Sequence, residues 1–183
     1  PLQQAITHPH KRLQHLAGRY LLKYLFPDFP HEEILIADTR KPYLPYEQYH
    51  FSISHCGNYA AAIASSAQRV GIDIEMPKEK LQRISHKFLN DNEKHFINTA
   101  SQSTNQLINQ LTIAWAAKET VFKWWGWGNV DFSDHILLHH FHVSDTGSIA
   151  ATFIREQETF HLPLQYKVFE ELCLVWTATE LMP

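Results

Sequence analysis

Val70-Gly71-Ile72-Asp73-Ile74-Glu75 alternates apolar and acidic residues. A period of two is that of a strand, so Ile72 and Ile74 share one face while the carboxylates of Asp73 and Glu75 stand side by side on the other. Two readings of that acidic face are open. It is either the solvated side of a half-buried strand, or a pair of hard oxygen donors for a cation such as magnesium, which takes one or two carboxylates with water and substrate phosphate.

Upstream of this strand, Phe51–Ser54 and Tyr59–Ser65 are β-compatible runs broken at Cys56-Gly57-Asn58 and at Ser66 to Arg69, which predicts a three-strand meander closed by Pro77. Further back, Leu13, Leu16, Ala17, Tyr20, Leu21, Tyr24 and Leu25 recur at helical spacing over Lys11–Phe26, and Pro27 stops the pattern. Glu33–Ala37 reads as a short strand, and two prolines make Thr39–Tyr46 an extended loop. Downstream, helices are predicted at Leu81–Leu89 and Asn92–Thr99. After a polar connector, Ser101–Asn105, comes a long helix over Gln106–Trp125 that ends at Gly126. Asp134–Val143, Ile149–Arg155, Phe160–Phe169 and Leu172–Ala178 read as strands, with Asp145-Thr146-Gly147 as a hairpin turn. The class is α+β, with an expected division at Pro77 into residues 1–77 and 78–183.

The 183 residues, 44% hydrophobic, suffice for one domain or two small halves on a shared core. Two cysteines, Cys56 and Cys173, make neither a disulfide framework nor a zinc pattern, so a reducing compartment, the cytoplasm, is expected. The apolar run Tyr59–Ala64 falls far short of the roughly 20 residues of a membrane span, so no membrane partner is expected. A net charge of -3 argues against a nucleic-acid partner bound by broad phosphate neutralisation. His135, His139, His140 and His142 lie on a segment of mixed faces without the cysteine or carboxylate pattern of a zinc site.

Two further pairs could carry chemistry. Glu119 and Lys123, four apart on the long helix, are either a helix-stabilising pair or a metal-binding or basic carboxylate beside a phosphate-binding ammonium. Ser54 and His55 sit at a strand tip. As sequence neighbours they point to opposite faces, which disfavours a nucleophile–base pair and leaves His55 as a phosphate donor or a structural turn residue.

Taken together, Phe51-Ser52-Ile53-Ser54-His55-Cys56-Gly57, Gly71-Ile72-Asp73-Ile74-Glu75 and the Trp115, Lys118-Glu119, Lys123 helix resemble the surfactin-synthetase-activating type of 4′-phosphopantetheinyl transferase. Lys41-Pro42 resembles that family's Gly-Lys-Pro loop, with Arg40 for Gly. Gly126-Trp127-Gly128 resembles its Gly-Lys-Gly turn, with Trp127 for Lys, while Ser52 and Cys56 replace the usual Asn and Ser. The resemblance runs from about Arg12 to Thr177.

It implies two similar α+β halves in a pseudo-twofold arrangement with coenzyme A in the cleft between them. It also implies a further strand-forming segment ahead of the first helix, which this chain is expected to lack. The implied activity is that of a holo-[acyl-carrier-protein] synthase, moving 4′-phosphopantetheine from coenzyme A to a serine of an apo acyl or peptidyl carrier protein. Magnesium would be held by Asp73, Glu75 and Glu119, with Glu119, Lys123 and His55 as the catalytic set and Glu119 accepting the serine proton. Coenzyme A would meet Lys41, Pro42, Ser54, His55, Asp73 and Lys123, with Arg12, Arg19 and Arg40 as further cations and Lys41 first on the 3′-phosphate. Trp124, Trp125 and Trp127 are either a carrier-docking patch or part of the core, and a monomer is expected. Two competing readings are a non-catalytic relative that binds coenzyme A or carrier, and a magnesium-dependent phosphodiester hydrolase.

Overall fold

The structure, a computed structural model, describes residues 8–100 and 103–180. Helix α1 (Pro9–Leu25) opens with proline in its first turn, where a missing N–H costs nothing. It packs on the antiparallel hairpin of β3 (His50–Cys56) and β4 (Tyr59–Ser65). Between helix and hairpin, β1 (Leu35–Ile36) pairs with β2 (Pro42–Tyr43), so the expected extended loop is in part a small ladder, Leu35 opposite Tyr43. Leu22, Phe29, Leu44 and Phe51 make a small core there.

The expected meander is corrected at its third strand. β5 (Gln68–Glu75) runs beside β3, but its ladder is with β9 (Cys173–Glu180), from Gln68 opposite Glu180 to Glu75 opposite Cys173. On the β3 side, the N–H groups of Ile72 and Ile74 donate to the hydroxyls of Ser52 and Ser54, each at 3.3 Å. Side chains thus satisfy the donors that a third meander strand would have needed. β5 thereby becomes the edge of a five-stranded sheet ordered β5-β9-β8-β7-β6, with β6 at Ile136–Leu138, β7 at Thr146–Arg155 and β8 at Glu158–Val168.

Across β5 and β9 lies α4 (Thr104–Trp125), which starts at Ser103, whose hydroxyl accepts from the N–H of Gln106. It stops at Gly126, whose φ of 83° is the left-handed cap conformation. Most of its faces are buried, because the sheet covers one side and α2 (Lys80–Ile84) and α3 (Asp91–Ala100) cover others. The predicted helix over Leu81–Leu89 divides into α2 and a 3-10 turn at Ser85–Lys87. Of the expected connector, Ser101 and Gln102 lie outside the described residues, and Thr104 and Asn105 already belong to α4.

Two other expectations are corrected. Asp134–Val143 is a strand only over β6, because the Asp131 carboxylate caps the N–H groups of Ser133 and Asp134 and winds Phe132–His135 into a short helix, α5. Thr146 and Gly147 lie inside β7, and the tight turn to β8 is made by Glu156-Gln157, with Glu156 at a φ of 57°. With helices and strands in comparable share, the α+β class holds. Among the described residues, no helix is long and apolar enough to cross a membrane.

Candidate functional site

β5 meets α4 through Gly71, Asp73 and Glu75, alternate residues of one face. Gly71 lets the two elements close: a Cβ there would come within 2.9 Å of the Trp124 Cβ and collide with the Thr120 carbonyl. One strand step on, Asp73 Oδ1 accepts from Lys123 Nζ at 2.6 Å, and at the strand end Glu75 Oε1 accepts from Trp115 Nε1 at 3.3 Å. Trp115, Glu119 and Lys123 are spaced by four, so they form one row of the helix along that face. The acidic face is therefore a helix–strand interface. Asp73 is only 3% exposed, which excludes the solvated-face reading for it.

Asp73 is incompletely satisfied. Ser54 Oγ donates to Oδ1 at 2.7 Å, beside Lys123, whereas Oδ2 is buried with no hydrogen-bond partner among the described residues. Leaving such an oxygen unpaired costs about 1–3 kcal/mol. Burial drives the Asp73 carboxyl upward in pKa; Lys123 and Ser54 oppose this, and Glu75 adds to it. Glu119 is pushed up to about 7, by burial first, then by Asp73, with Lys123 opposing and Glu75 adding. The three carboxylates thus lie within electrostatic reach of one another with too little positive charge between them. Oxygen-only donors with an excess of negative charge suit a hard cation such as magnesium. In their present rotamers the side chains do not converge: among the described residues no group of three or more His, Cys, Asp or Glu is set to hold a metal ion. Glu75 Oε2 accepts from Cys56 Sγ at 3.3 Å and lies 3.6 Å from Lys78 Nζ.

Lys123 pairs with Asp73 across the interface, in place of the helix-stabilising Glu119–Lys123 alternative. Ser54 is buried against Asp73. His55 points the other way, is exposed, and lies near His15 of α1, whose pKa it helps to lower after burial and Arg19. His55 is thus apart from the carboxylates. Among the described residues, Arg19 Nη2 and His15 Nε2 on α1 are buried without hydrogen-bond partners, as is His31 Nε2 after it. Arg12 and Arg40 are exposed. Thr39 holds the Lys-Pro loop to the end of α4 through Oγ1 to the Gly126 carbonyl, 3.0 Å. Lys41, held down to about 8 by burial and then by Arg69, lies over Gly126. A cavity of about 180 Å³ joins Arg40, Lys41 and Pro42 to Ser52 and Lys123.

Two residues were not legible as site architecture. Lys118, within the Lys-Glu motif, is 0% exposed; its ammonium donates to Glu93 Oε2 (2.7 Å) and the carbonyls of Phe132 (2.8 Å) and Ile136 (2.6 Å). It pins α5 and β6 to the helices. Arg69 caps the end of α4, donating to the carbonyls of Trp124 (2.7 Å) and Trp125, with its guanidinium 3.9 Å from the Trp127 ring centroid. Neither role leaves a local pattern. Of the tryptophans, Trp124 is core and Trp127 is 57% exposed.

Residues 69–180 match the family model of the 4′-phosphopantetheinyl transferase superfamily. That range carries Asp73, Glu75, Glu119 and Lys123 and leaves Lys41 and His55 outside. Enterobactin synthase component D of Salmonella typhi is 31% identical over 147 residues, covering 79% of this chain and 58% of that protein. The protein of the same name from Escherichia coli strain K12 is 31% identical over 130 residues, 62% of this chain and 54% of that one. The protein named 4′-phosphopantetheinyl transferase gsp, of Aneurinibacillus migulanus, is 32% identical over 110 residues, 59% of this chain and 44% of its own length. The chain spans about half the length of the relatives it matches.

Proposed function

The chain belongs to the 4′-phosphopantetheinyl transferase superfamily, and we propose that it moves the 4′-phosphopantetheine arm of coenzyme A onto a serine of an apo acyl or peptidyl carrier protein, releasing 3′,5′-ADP. The observation that carries this reading is Asp73, buried between Ser54 and Lys123 with one oxygen unpartnered, beside Glu75 and Glu119.

Asp73, Glu75 and Glu119 would hold magnesium, which when bound withdraws charge from the pyrophosphate of coenzyme A. Ser54 fixes the Asp73 carboxylate, and Trp115 and Cys56 fix that of Glu75. Lys123, one face of the smaller cavity, offsets charge on the pyrophosphate as the P–O bond to 3′,5′-ADP breaks. The serine oxygen forms the new P–O bond, and Glu119 takes its proton. Lys41 answers the 3′-phosphate, with His55, Arg19 and the exposed Arg12 and Arg40 as further donors. The unpartnered nitrogens of His15 and Arg19 support an anion on that side of α1. In this reading the chain acts in the cytoplasm as a monomer, with neither nucleic acid nor membrane as partner. Its two halves, 1–77 and 78–183, share the site, Ser54, Asp73 and Glu75 coming from the first and Glu119 and Lys123 from the second.

The test is incubation with coenzyme A, magnesium and a panel of apo carrier proteins, each then read by intact mass. The expected result is a phosphopantetheine adduct on the carrier serine that a chelator abolishes. Coenzyme A bound without any adduct would favour a non-catalytic binding role, and free phosphopantetheine released without carrier would favour a hydrolase.

A further inference from the structure

A second and larger cavity, about 640 Å³, opens at the far end of β5 from the carboxylates, within the size range of small-molecule sites. Phe51 and Val70 make its lining apolar and Tyr49 and Trp127 make it aromatic. Two cations reach it, Lys41 and Arg69, and among the described residues neither is in an ion pair. Their mutual repulsion adds to burial in holding Lys41 down to about 8. Trp125 is also in the wall, and its indole N–H is buried without an acceptor among the described residues. The unpaired Lys41 ammonium, backed by the Arg69 guanidinium, and an unmet donor call for a ligand with negatively charged oxygens. The exposed Glu47 and Glu158 also line the space and count against a polyanion such as a nucleotide, leaving a monoanion.

We propose that this cavity binds a planar aromatic monocarboxylate, its carboxylate taken by Lys41, Arg69 and the Trp125 N–H and its ring by the aromatic lining. The smaller cavity shares Lys41, Pro42, Phe51 and Gly126 with it but alone contains Lys123, so the two sites adjoin and have Lys41 in common.

Calorimetric titration of the chain with naphthalene-2-carboxylate and with the uncharged naphthalene-2-carboxamide tests this, and no readout involves transfer. The carboxylate is expected to bind about tenfold tighter than the amide, charge-assisted hydrogen bonds being the stronger kind. Trp125→Phe should weaken it about fivefold, the size of one lost hydrogen bond. Trp127→Ala, at an exposed position, should weaken carboxylate and amide alike, and Lys123→Met should leave both unchanged. Saturating 3′,5′-ADP, which would draw on Lys41 but not on Arg69 or Trp125, should weaken the carboxylate without displacing it. Equal affinity for acid and amide, no binding of either, or affinity unaltered in both tryptophan variants would overturn the proposal. So would one-for-one displacement by 3′,5′-ADP, which would make the cavity the nucleotide end of the coenzyme A site.

Discussion

Two lysines five residues apart on α4 each meet a buried carboxylate, and the two pairs are built differently. At Lys118 every valence is met: three acceptors surround the ammonium, while Glu93 accepts from Lys118 and the N–H groups of Asn90 and Leu138. At Lys123 the partner Asp73 has one oxygen crowded by two donors and the other with none among the described residues. A saturated buried pair positions chain segments; an unsaturated one retains free energy to be released to a ligand. The same motif thus supplies a lock and, one and a half turns on, the proposed site.

The sharpest way to break that contrast is in transfer itself. Glu119→Gln is expected to lower phosphopantetheine transfer about 10³-fold or more without loss of the fold, since both a charge beside Asp73 and the proton acceptor go. Transfer at the wild-type rate would remove both roles. Lys118→Met should act on stability instead. Stranding the Glu93 carboxylate should cost about 3–5 kcal/mol in urea unfolding, and adding Glu93→Gln should recover part of it. A variant as stable as the parent would mean the lock is not one.

Smaller effects sharpen the picture. Glu119 sits near 7 in the fold against 4.5 ordinarily, so its favourable contribution is whole below pH 4.5 and is lost as pH rises through 7. Metal-free Glu119→Gln should accordingly be more stable than the parent at pH 8, on the order of 1–3 kcal/mol, with the gain vanishing by pH 4.5. A gain independent of pH would contradict that electrostatic origin. Smallest is Lys41→Ala, expected to weaken coenzyme A about tenfold and dephospho-coenzyme A little. Equal losses would remove Lys41 from the 3′-phosphate.

The sequence is legible where structure is local. The helical period and Pro27 locate α1, Gly126 locates the end of α4, and the alternation in Val70–Glu75 puts Asp73 and Glu75 on one face. What that face meets is not local. β5 pairs with residues a hundred positions away, and Ser52 and Ser54 stand in for a ladder that a meander would have supplied. The i,i+4 spacing of Glu119 and Lys123 suggests a helix pair, yet a glycine at 71 brings the strand close enough for Asp73 to take the lysine. Lys118 and Arg69 act on backbone carbonyls, which no side-chain pattern marks. The short helix after Asp131 is marked only by an aspartate before a polar turn, a capping signal that the apolar residues following it mask.

The most direct test is a calorimetric titration of magnesium into the coenzyme A-loaded chain at pH 8, beside the same titration of Asp73→Asn. A saturable magnesium-binding heat is expected in the parent, lost in the variant while its fold persists; a parent that takes up no magnesium, or a variant that takes it up equally well, would exclude a magnesium site at Asp73.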